Sequence, residues 1–263
     1  MHRRAGDARR VGDVEQTGGT GGSTQKHYGY LFPLLSARQR VVSVDLAQPV
    51  PTGGTLTVEH LGKQVAAVIE AVLPGQAVTL VGYSLGSVVA AAVAARHPEL
   101  VRNLVLVAGW ITADTQQKLR NKVWQQLRKE GSSALGEYTA FCAFGGPFLA
   151  LAHLEELALT FKSLAPDHFY DLQMALNQTV DISELIPGIK ATTLVVGCTH
   201  DQMVPVRHSK ALFGAIPDAR YAKIASGHAV VFERPGQLVQ IIDQFNASPS
   251  RHAAGSIVPA DSP

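Results

Sequence analysis

The sequence predicts an α/β fold, in which a mostly parallel sheet carries helices on both faces and an all-helical cap is inserted. Short continuous apolar runs alternate with helical patterns, as is typical of a parallel sheet, and the alternation stops over residues 111–186. The 263 residues suffice for one large core. We expect residues 17–110 and 187–246 to form the core, residues 111–186 the cap, and residues 1–16 and 247–263 disordered tails.

The first half of the predicted core contains three strands and two helices. The run RVVSVDL ends in a Pro/Gly loop, which predicts a buried strand. Apolar residues from Leu61 to Val72 recur at helical spacing and predict a helix with one apolar face. A strand at 78–82, a helix at 85–96 and the apolar run LVRNLVLVAGW follow.

The second half of the predicted core returns to strands after the helical block. ATTLVVGCTHD contains a predicted strand at 193–197, VRHSKALFGAI a helix, and a short apolar run follows at 221–225. The last helix is expected to begin at Pro235, because proline is favoured in the first turn of a helix.

The charge and the cysteines exclude several classes of partner and site. The net charge is +2 and the first ten residues carry +3, so the remainder is nearly neutral and does not favour nucleic acid or an anionic membrane. No apolar stretch reaches the length of a membrane span, and the N-terminus lacks an apolar signal core. Cys142 and Cys198 are far apart and form no zinc pattern, which favours reduced thiols in a cytoplasmic protein.

Three polar residues of complementary chemistry each follow the end of a predicted strand: Ser84, Asp201 and His228. Ligands bind at the C-terminal ends of parallel strands, so the topology brings all three to one edge of the sheet. A neutral imidazole can take the serine proton, and a carboxylate on the other ring nitrogen fixes the tautomer and stabilises the imidazolium. We predict Ser84 as nucleophile, His228 as general base and then general acid, and Asp201 as the residue that orients His228.

The predicted nucleophile lies in a tight turn between a strand and a helix. Gly82 and Gly86 flank Ser84, which allows the neighbouring backbone to approach closely. Leu85 then begins the helix, where its backbone N–H can face a developing oxyanion with help from the helix dipole.

GYSLG resembles the nucleophile elbow of the α/β-hydrolase superfamily, in which a G-x-S-x-G turn joins a strand to a helix. The order Ser, Asp, His is that of the family, GCTHDQMVP resembles its acid loop, and SGHAVVFERPGQL resembles its histidine loop. The resemblance spans about Gly18 to Phe245. It implies the α/β-hydrolase fold and a serine hydrolase acting on an ester, thioester or lactone, with no metal and no organic cofactor.

GGTGGS occupies the place of the family segment that supplies the second oxyanion donor. Gly18 and Gly19 replace the His-Gly of the family, and the resemblance makes the backbone N–H of Thr20 the candidate donor. The preceding GDVEQT is too polar for a central buried strand. We therefore expect the first strands of the family to be missing or degraded.

Three aromatic residues are candidates for contact with the substrate. Trp110 follows a predicted strand and leads into the cap, Tyr83 adjoins the nucleophile, and Phe144 either packs inside the cap or meets the substrate. We expect the cap surface that faces Ser84 to be apolar and the substrate to be a fairly hydrophobic small molecule. The protein is expected to be a monomer or a homodimer.

Two other functions stay open from the sequence. One fold hosts many reactions, so the chain could be a perhydrolase, a lyase or a cyclase of a biosynthetic pathway. The polar segment before Gly18 also allows a catalytically impaired protein that only binds a ligand.

Overall fold

A six-stranded sheet with every neighbouring pair parallel forms the centre of the molecule. The strand order is β2-β1-β3-β4-β5-β6. The strands are β1 Val14–Thr17, β2 Val41–Val44, β3 Val78–Tyr83, β4 Val101–Val107, β5 Thr192–Cys198 and β6 Ala219–Ile224. This computed structural model describes residues 14–18, 20, 23–51, 53–153, 155, 157 and 166–259.

Strand β1 corrects the prediction for the N-terminal segment. Val14–Thr17 pairs with β2 on one side and with β3 on the other. The prediction of a disordered tail is therefore wrong for residues 14–16, and residues 1–13 lie outside the described part of the chain. Strand pairing uses backbone N–H and C=O groups, which a polar residue supplies as well as an apolar one, so a strand of this kind produces no apolar run in the sequence.

Strands β3, β4 and β5 alternate their side chains between two apolar clusters, one on each face of the sheet, and helices cover both faces. Leu80, Leu104 and Val195 lie in the cluster with the helices over Val58–Val72 and Leu85–Arg96, whereas Val81 and Val105 lie in the opposite cluster. The helices outside the region 111–186 are α1 Thr24–Tyr28, α2 Leu31–Ser36, α3 Val58–Val72, α4 Leu85–Arg96, α9 Arg207–Ala215, α10 Val230–Glu233 and α11 Pro235–Ala247.

The described part of the region 111–186, called the insertion below, consists of helices joined by short turns and contains no strand longer than the isolated bridge between Thr112 and Asp181. Its helices are α5 Thr115–Lys129, α6 Leu135–Ala143, α7 Gly146–Leu149 and α8 His168–Thr179, and the short 3-10 turn Ile186–Gly188 follows it. The two ends of the insertion lie side by side, because the Ala113 N–H donates to the Val180 carbonyl at 3.2 Å and the Ile182 N–H donates to the Ile111 carbonyl at 3.1 Å. The insertion therefore leaves the sheet and returns to it at one place.

The C-terminal segment also departs from the prediction, which gave a disordered tail from residue 247. The Tyr221 N–H donates to the Ser256 carbonyl at 3.0 Å, and the Val258 N–H donates to the Tyr221 carbonyl at 2.7 Å. Val258 also packs against the apolar cluster under β6. The prediction is thus wrong for 247–259, because the open edge of β6 offers backbone partners that composition does not reveal; residues 260–263 lie outside the described chain.

No helix in the described part of the chain is both long enough and apolar enough to cross a membrane.

Candidate active site

Ser84 occupies the predicted turn between β3 and α4. Its backbone has φ 57° and ψ −125°, a region that costs a non-glycine residue about 1–3 kcal/mol. A Cβ on Gly82 would lie 2.3 Å from the Gly86 carbonyl oxygen and 2.6 Å from the Ser87 Cα, so only glycine fits there. The close approach of strand and helix holds Ser84 in its strained conformation at the C-terminal edge of the sheet.

Ser84, His228 and Asp201 form one hydrogen-bonded chain. Nε2 of His228 lies 2.8 Å from Oγ of Ser84, and Nδ1 of His228 lies 2.7 Å from Oδ2 of Asp201. The Asp201 side chain is fully buried and the His228 side chain is 8% exposed. Three loops that are distant in sequence therefore bring hydroxyl, imidazole and carboxylate within proton-transfer distance, as the sequence predicts.

Backbone donors fix the carboxylate of Asp201. The N–H groups of Met203 and Val204 both donate to Oδ1 at 2.8 Å, which leaves Oδ2 for His228. An aspartate side chain often accepts hydrogen bonds from the backbone N–H groups two or three residues later in the chain. The carboxylate is thereby held in place without the imidazole.

The histidine loop is held by two further contacts. The Tyr83 hydroxyl donates to the His228 carbonyl at 2.8 Å. Oε1 of Glu233 accepts hydrogen bonds from the Gly227 N–H at 3.0 Å and from the Gly145 N–H of the insertion at 2.9 Å. One carboxylate thus connects the residue before His228 to the insertion.

The two residues predicted as oxyanion donors are both close to the site. Leu85 is the first residue of α4, where backbone N–H groups have no partner within the helix. Thr20 lines the cavity that contains Ser84, and its Oγ1 accepts a hydrogen bond from Nδ2 of Asn177 at 2.8 Å. Thr20 is thereby connected to the insertion through its side chain.

A cavity of about 530 Å³, called the central cavity below, opens at Ser84 and His228. The predicted aromatic residues Tyr83, Trp110 and Phe144 all line it. Tyr83 uses its hydroxyl on the histidine loop, and Phe144 stacks on Phe148 with ring centres 4.7 Å apart. The side chains from the insertion that line the cavity are Gln117, Arg120, Asn121, Trp124, Thr139, Ala143, Phe144, Tyr170, Met174 and Asn177.

The insertion lines the central cavity with apolar side chains, as expected, but α5 adds polar ones. Gln117, Arg120, Asn121 and Trp124 all line the cavity. Their spacing of three, four and seven places them on one side of a helix. The spacing in the sequence shows that these residues share one side of the helix. It does not show that this side faces the cavity, because that depends on tertiary packing.

His27 is a second imidazole in the cavity that sequence reasoning did not single out. It lines the cavity and packs edge-to-face on Tyr83, with ring centres 5.3 Å apart. Burial, together with His228 and Lys26, lowers the pKa of His27 from 6.5 to about 4. The ring is therefore neutral at physiological pH.

The shifted pKa of His27 is expected to make stability depend on pH. The unfolded chain binds a proton on His27 below about pH 6.5, whereas the folded chain binds it only near pH 4. The contribution of neutral His27 to the free energy of unfolding is therefore fully present above pH 6.5 and is lost as the pH falls toward 4. A difference of this size corresponds to about 3 kcal/mol at most. His27→Gln should flatten the dependence of Tm on pH over this window, whereas the exposed His168→Gln should leave it unchanged. Equal slopes in His27→Gln and the parent would contradict the assignment.

Neither cysteine lines the central cavity. Both are free and buried, and burial raises the pKa of each thiol. Within the described part of the chain, no three His, Cys, Asp or Glu side chains come together as a possible metal site.

Comparison with known proteins identifies the family of the chain. A model of the alpha/beta hydrolase family matches residues 18–241. The chain is 31% identical over 236 residues to pyrrolizixenacetamide deacetylase of Xenorhabdus hominickii, which covers 86% of this chain and 88% of that protein. It is 28% identical over 205 residues to the putative carbamate hydrolase RutD of Klebsiella pneumoniae strain 342, which covers 74% of this chain and 76% of that protein.

A solved structure gives the same result for the fold. MGS-M2, an alpha/beta hydrolase enzyme from a deep-sea metagenome library of the Medee basin, superposes with a TM-score of 0.80 at 20% identity, covering 90% of each chain. The family model covers most of the chain, and the parallel sheet and the turn at Ser84 are those that the family resemblance predicts. This chain therefore belongs to the alpha/beta hydrolase family.

Proposed function

We propose that this protein is a serine hydrolase that cleaves a carboxylic ester, thioester or lactone of a small molecule. The observation that carries the proposal is the chain Ser84–His228–Asp201, with distances of 2.8 and 2.7 Å, at the wall of a cavity of about 530 Å³. Relatives whose names describe hydrolases support a hydrolytic enzyme.

In the proposed mechanism, Oγ of Ser84 attacks the carbonyl carbon while Nε2 of His228 takes its proton. The Nδ1–H of His228 donates a hydrogen bond to Oδ2 of Asp201, which fixes the tautomer and stabilises the imidazolium. His228 then gives its proton to the leaving group, and an acyl group remains on Ser84. A water molecule that His228 deprotonates attacks this acyl-enzyme and releases the acid.

The negative oxygen of each tetrahedral intermediate needs hydrogen-bond donors. We assign the N–H groups of Leu85 and Thr20 to this role, because one begins α4 next to Ser84 and the other belongs to the cavity wall. Loss of one such donor typically costs about 3 kcal/mol of transition-state stabilisation.

The insertion acts as the cap of this site in our proposal. It supplies the cavity wall opposite the sheet and is attached to the histidine loop through Glu233. The two free thiols suit a reducing compartment, which supports a cytoplasmic location.

Covalent labelling tests the nucleophile. A fluorophosphonate probe should label the folded protein once, at Ser84, because the hydroxyl of Ser84 is hydrogen-bonded to the imidazole of the proposed triad. Intact-protein mass spectrometry and peptide mapping would locate the label. Ser84→Ala should remove the labelling, whereas Ser87→Ala should retain it. A folded protein that takes no label would favour a protein that only binds a ligand.

Deacylation of an amide is a second candidate function. The observation that favours it is the 31% identity to a protein named as a deacetylase. An amine leaving group must be protonated as it departs, and His228 can supply this proton from Nε2. Matched N-acetyl and O-acetyl compounds with the same leaving-group skeleton would separate the two candidates by their kcat/KM values.

A further inference from the structure

The polar face of α5 contains a cation that no described carboxylate neutralises. Arg120 lines the central cavity, and Nη2 of its guanidinium donates to Oδ1 of Asn121 at 2.5 Å. Its Nε is buried and has no hydrogen-bond partner among the described residues. Burial lowers the pKa of Arg120.

No described carboxylate forms an ion pair with the guanidinium of Arg120. Asp201 is the carboxylate whose field raises the pKa of Arg120, and it is already bonded to His228. Arg128, two turns along the same helix, differs in this respect because it pairs with Asp171 at 3.1 Å. An unpaired, partly buried guanidinium destabilises a folded protein, so its presence at a cavity wall calls for a ligand that pairs with it.

Other groups around the cavity also lack partners, and donors predominate among them. Nδ2 of Asn121 and Nε1 of Trp110 are buried N–H donors without a hydrogen-bond partner among the described residues. The described wall contains a second cation, Lys26, and no aspartate or glutamate. The cavity therefore offers positive charge and N–H donors in excess, which suits a ligand with negative charge and acceptor oxygens.

We propose that the substrate carries a carboxylate group that Arg120 binds, with Asn121 beside it, while its acyl bond lies at Ser84. This proposal rests on the proposed function and narrows its substrate class to carboxylate-bearing esters, thioesters or lactones. The planar fork of an arginine matches the two oxygens of a carboxylate, which gives orientation as well as affinity. Arg120 is thus a specificity-determining residue, and Ser84 and His228 perform the chemistry.

Binding to a variant that cannot turn over tests the proposal. Ser84→Ala would be titrated calorimetrically with monobenzyl glutarate and with benzyl pentanoate, two esters of similar shape that differ in the terminal carboxylate. We expect the charged ester to bind about tenfold tighter or more, as one charge-assisted pair supplies. Adding Arg120→Gln should remove this preference: the affinity for the charged ester should fall, and the affinity for the neutral ester should change by less than about threefold.

Lys122→Gln in the same background is the matched control, because it removes an exposed positive charge from the same helix. It should keep the preference for the charged ester. Equal affinity of Ser84→Ala for the two esters would overturn the proposal. An equal fall in the affinity for both esters when Arg120→Gln is added would also overturn it. Binding does not require turnover, so this result stands whether or not a fluorophosphonate labels Ser84.

Thermal stability separates a binding role from a structural one. If Arg120 is held unpaired for a ligand, Arg120→Gln should leave Tm unchanged or raise it, because an uncompensated charge is removed. A clear fall in Tm would assign Arg120 to the fold and count against the proposal. Arg120→Lys retains the charge without the fork, and it should bind the charged ester with an affinity between those of the parent and Arg120→Gln.

Discussion

Replacing His228 with alanine is expected to lower kcat by about four orders of magnitude while the protein stays folded. Without the imidazole, Oγ of Ser84 keeps its proton at neutral pH, because His228 is the group that is hydrogen-bonded to both Ser84 and Asp201. Asp201 retains the backbone N–H donors of Met203 and Val204, so the acid loop keeps its structure. Initial rates on a 4-nitrophenyl ester, with circular dichroism to verify folding, would measure the effect.

The matched control is His200→Ala, an exposed histidine next to Asp201 in the sequence. It should change kcat by less than about threefold, as surface substitutions away from the chemistry usually do. The double variant Ser84→Ala/His228→Ala should be no slower than either single variant, because residues of one triad act as a unit. A His228→Ala protein that retained a tenth of the parent activity would refute the proposed mechanism.

Replacing Gly82 with alanine is expected to destabilise the fold by about 3 kcal/mol or more. The new Cβ would lie 2.3 Å from the carbonyl oxygen of Gly86 and 2.6 Å from the Ser87 Cα. Both atoms belong to backbone, which cannot rotate aside as a side chain can, so β3 and α4 must move apart. Urea unfolding would measure the loss, and activity should fall with it because Ser84 lies in the same turn.

Gly214→Ala provides the contrast for Gly82→Ala. Gly214 lies within α9, is exposed, and has open space around the added Cβ. Alanine there should stabilise the protein by about 0.5–1 kcal/mol, because it restricts the unfolded chain and favours the helix. If both variants had the same stability as the parent, the inference that strand and helix are closely packed at Gly82 would be wrong.

The triad could be predicted from the sequence because the parallel sheet places the ends of its strands, and the residues that follow them, at one edge. Ser84, Asp201 and His228 each follow an apolar run, and consecutive apolar runs in such a fold end at one edge. The elbow was predictable for a similar local reason, since Gly82 is required by contacts with residues four and five positions later. These inferences use only chain order and short-range geometry.

The remaining features depend on tertiary contacts that a local pattern does not contain. Strand β1 is polar and is held by pairing with two neighbours, and the segment at Tyr221 and Val258 is held by the edge of β6. Arg120 and Lys122 are two cations separated by one residue on α5, yet one faces the cavity and the other faces solvent. Composition treats them alike, and only the packing of α5 over the sheet distinguishes them.

The backbone contacts of the C-terminal segment also bear on self-association. An unpaired outer strand is a template on which a second copy can continue the sheet. Here Tyr221 already exchanges hydrogen bonds with Ser256 and Val258 on that side. Pairing β6 with β6 of a second copy would require this C-terminal segment to leave the edge of the sheet, so the segment protects that edge from self-association.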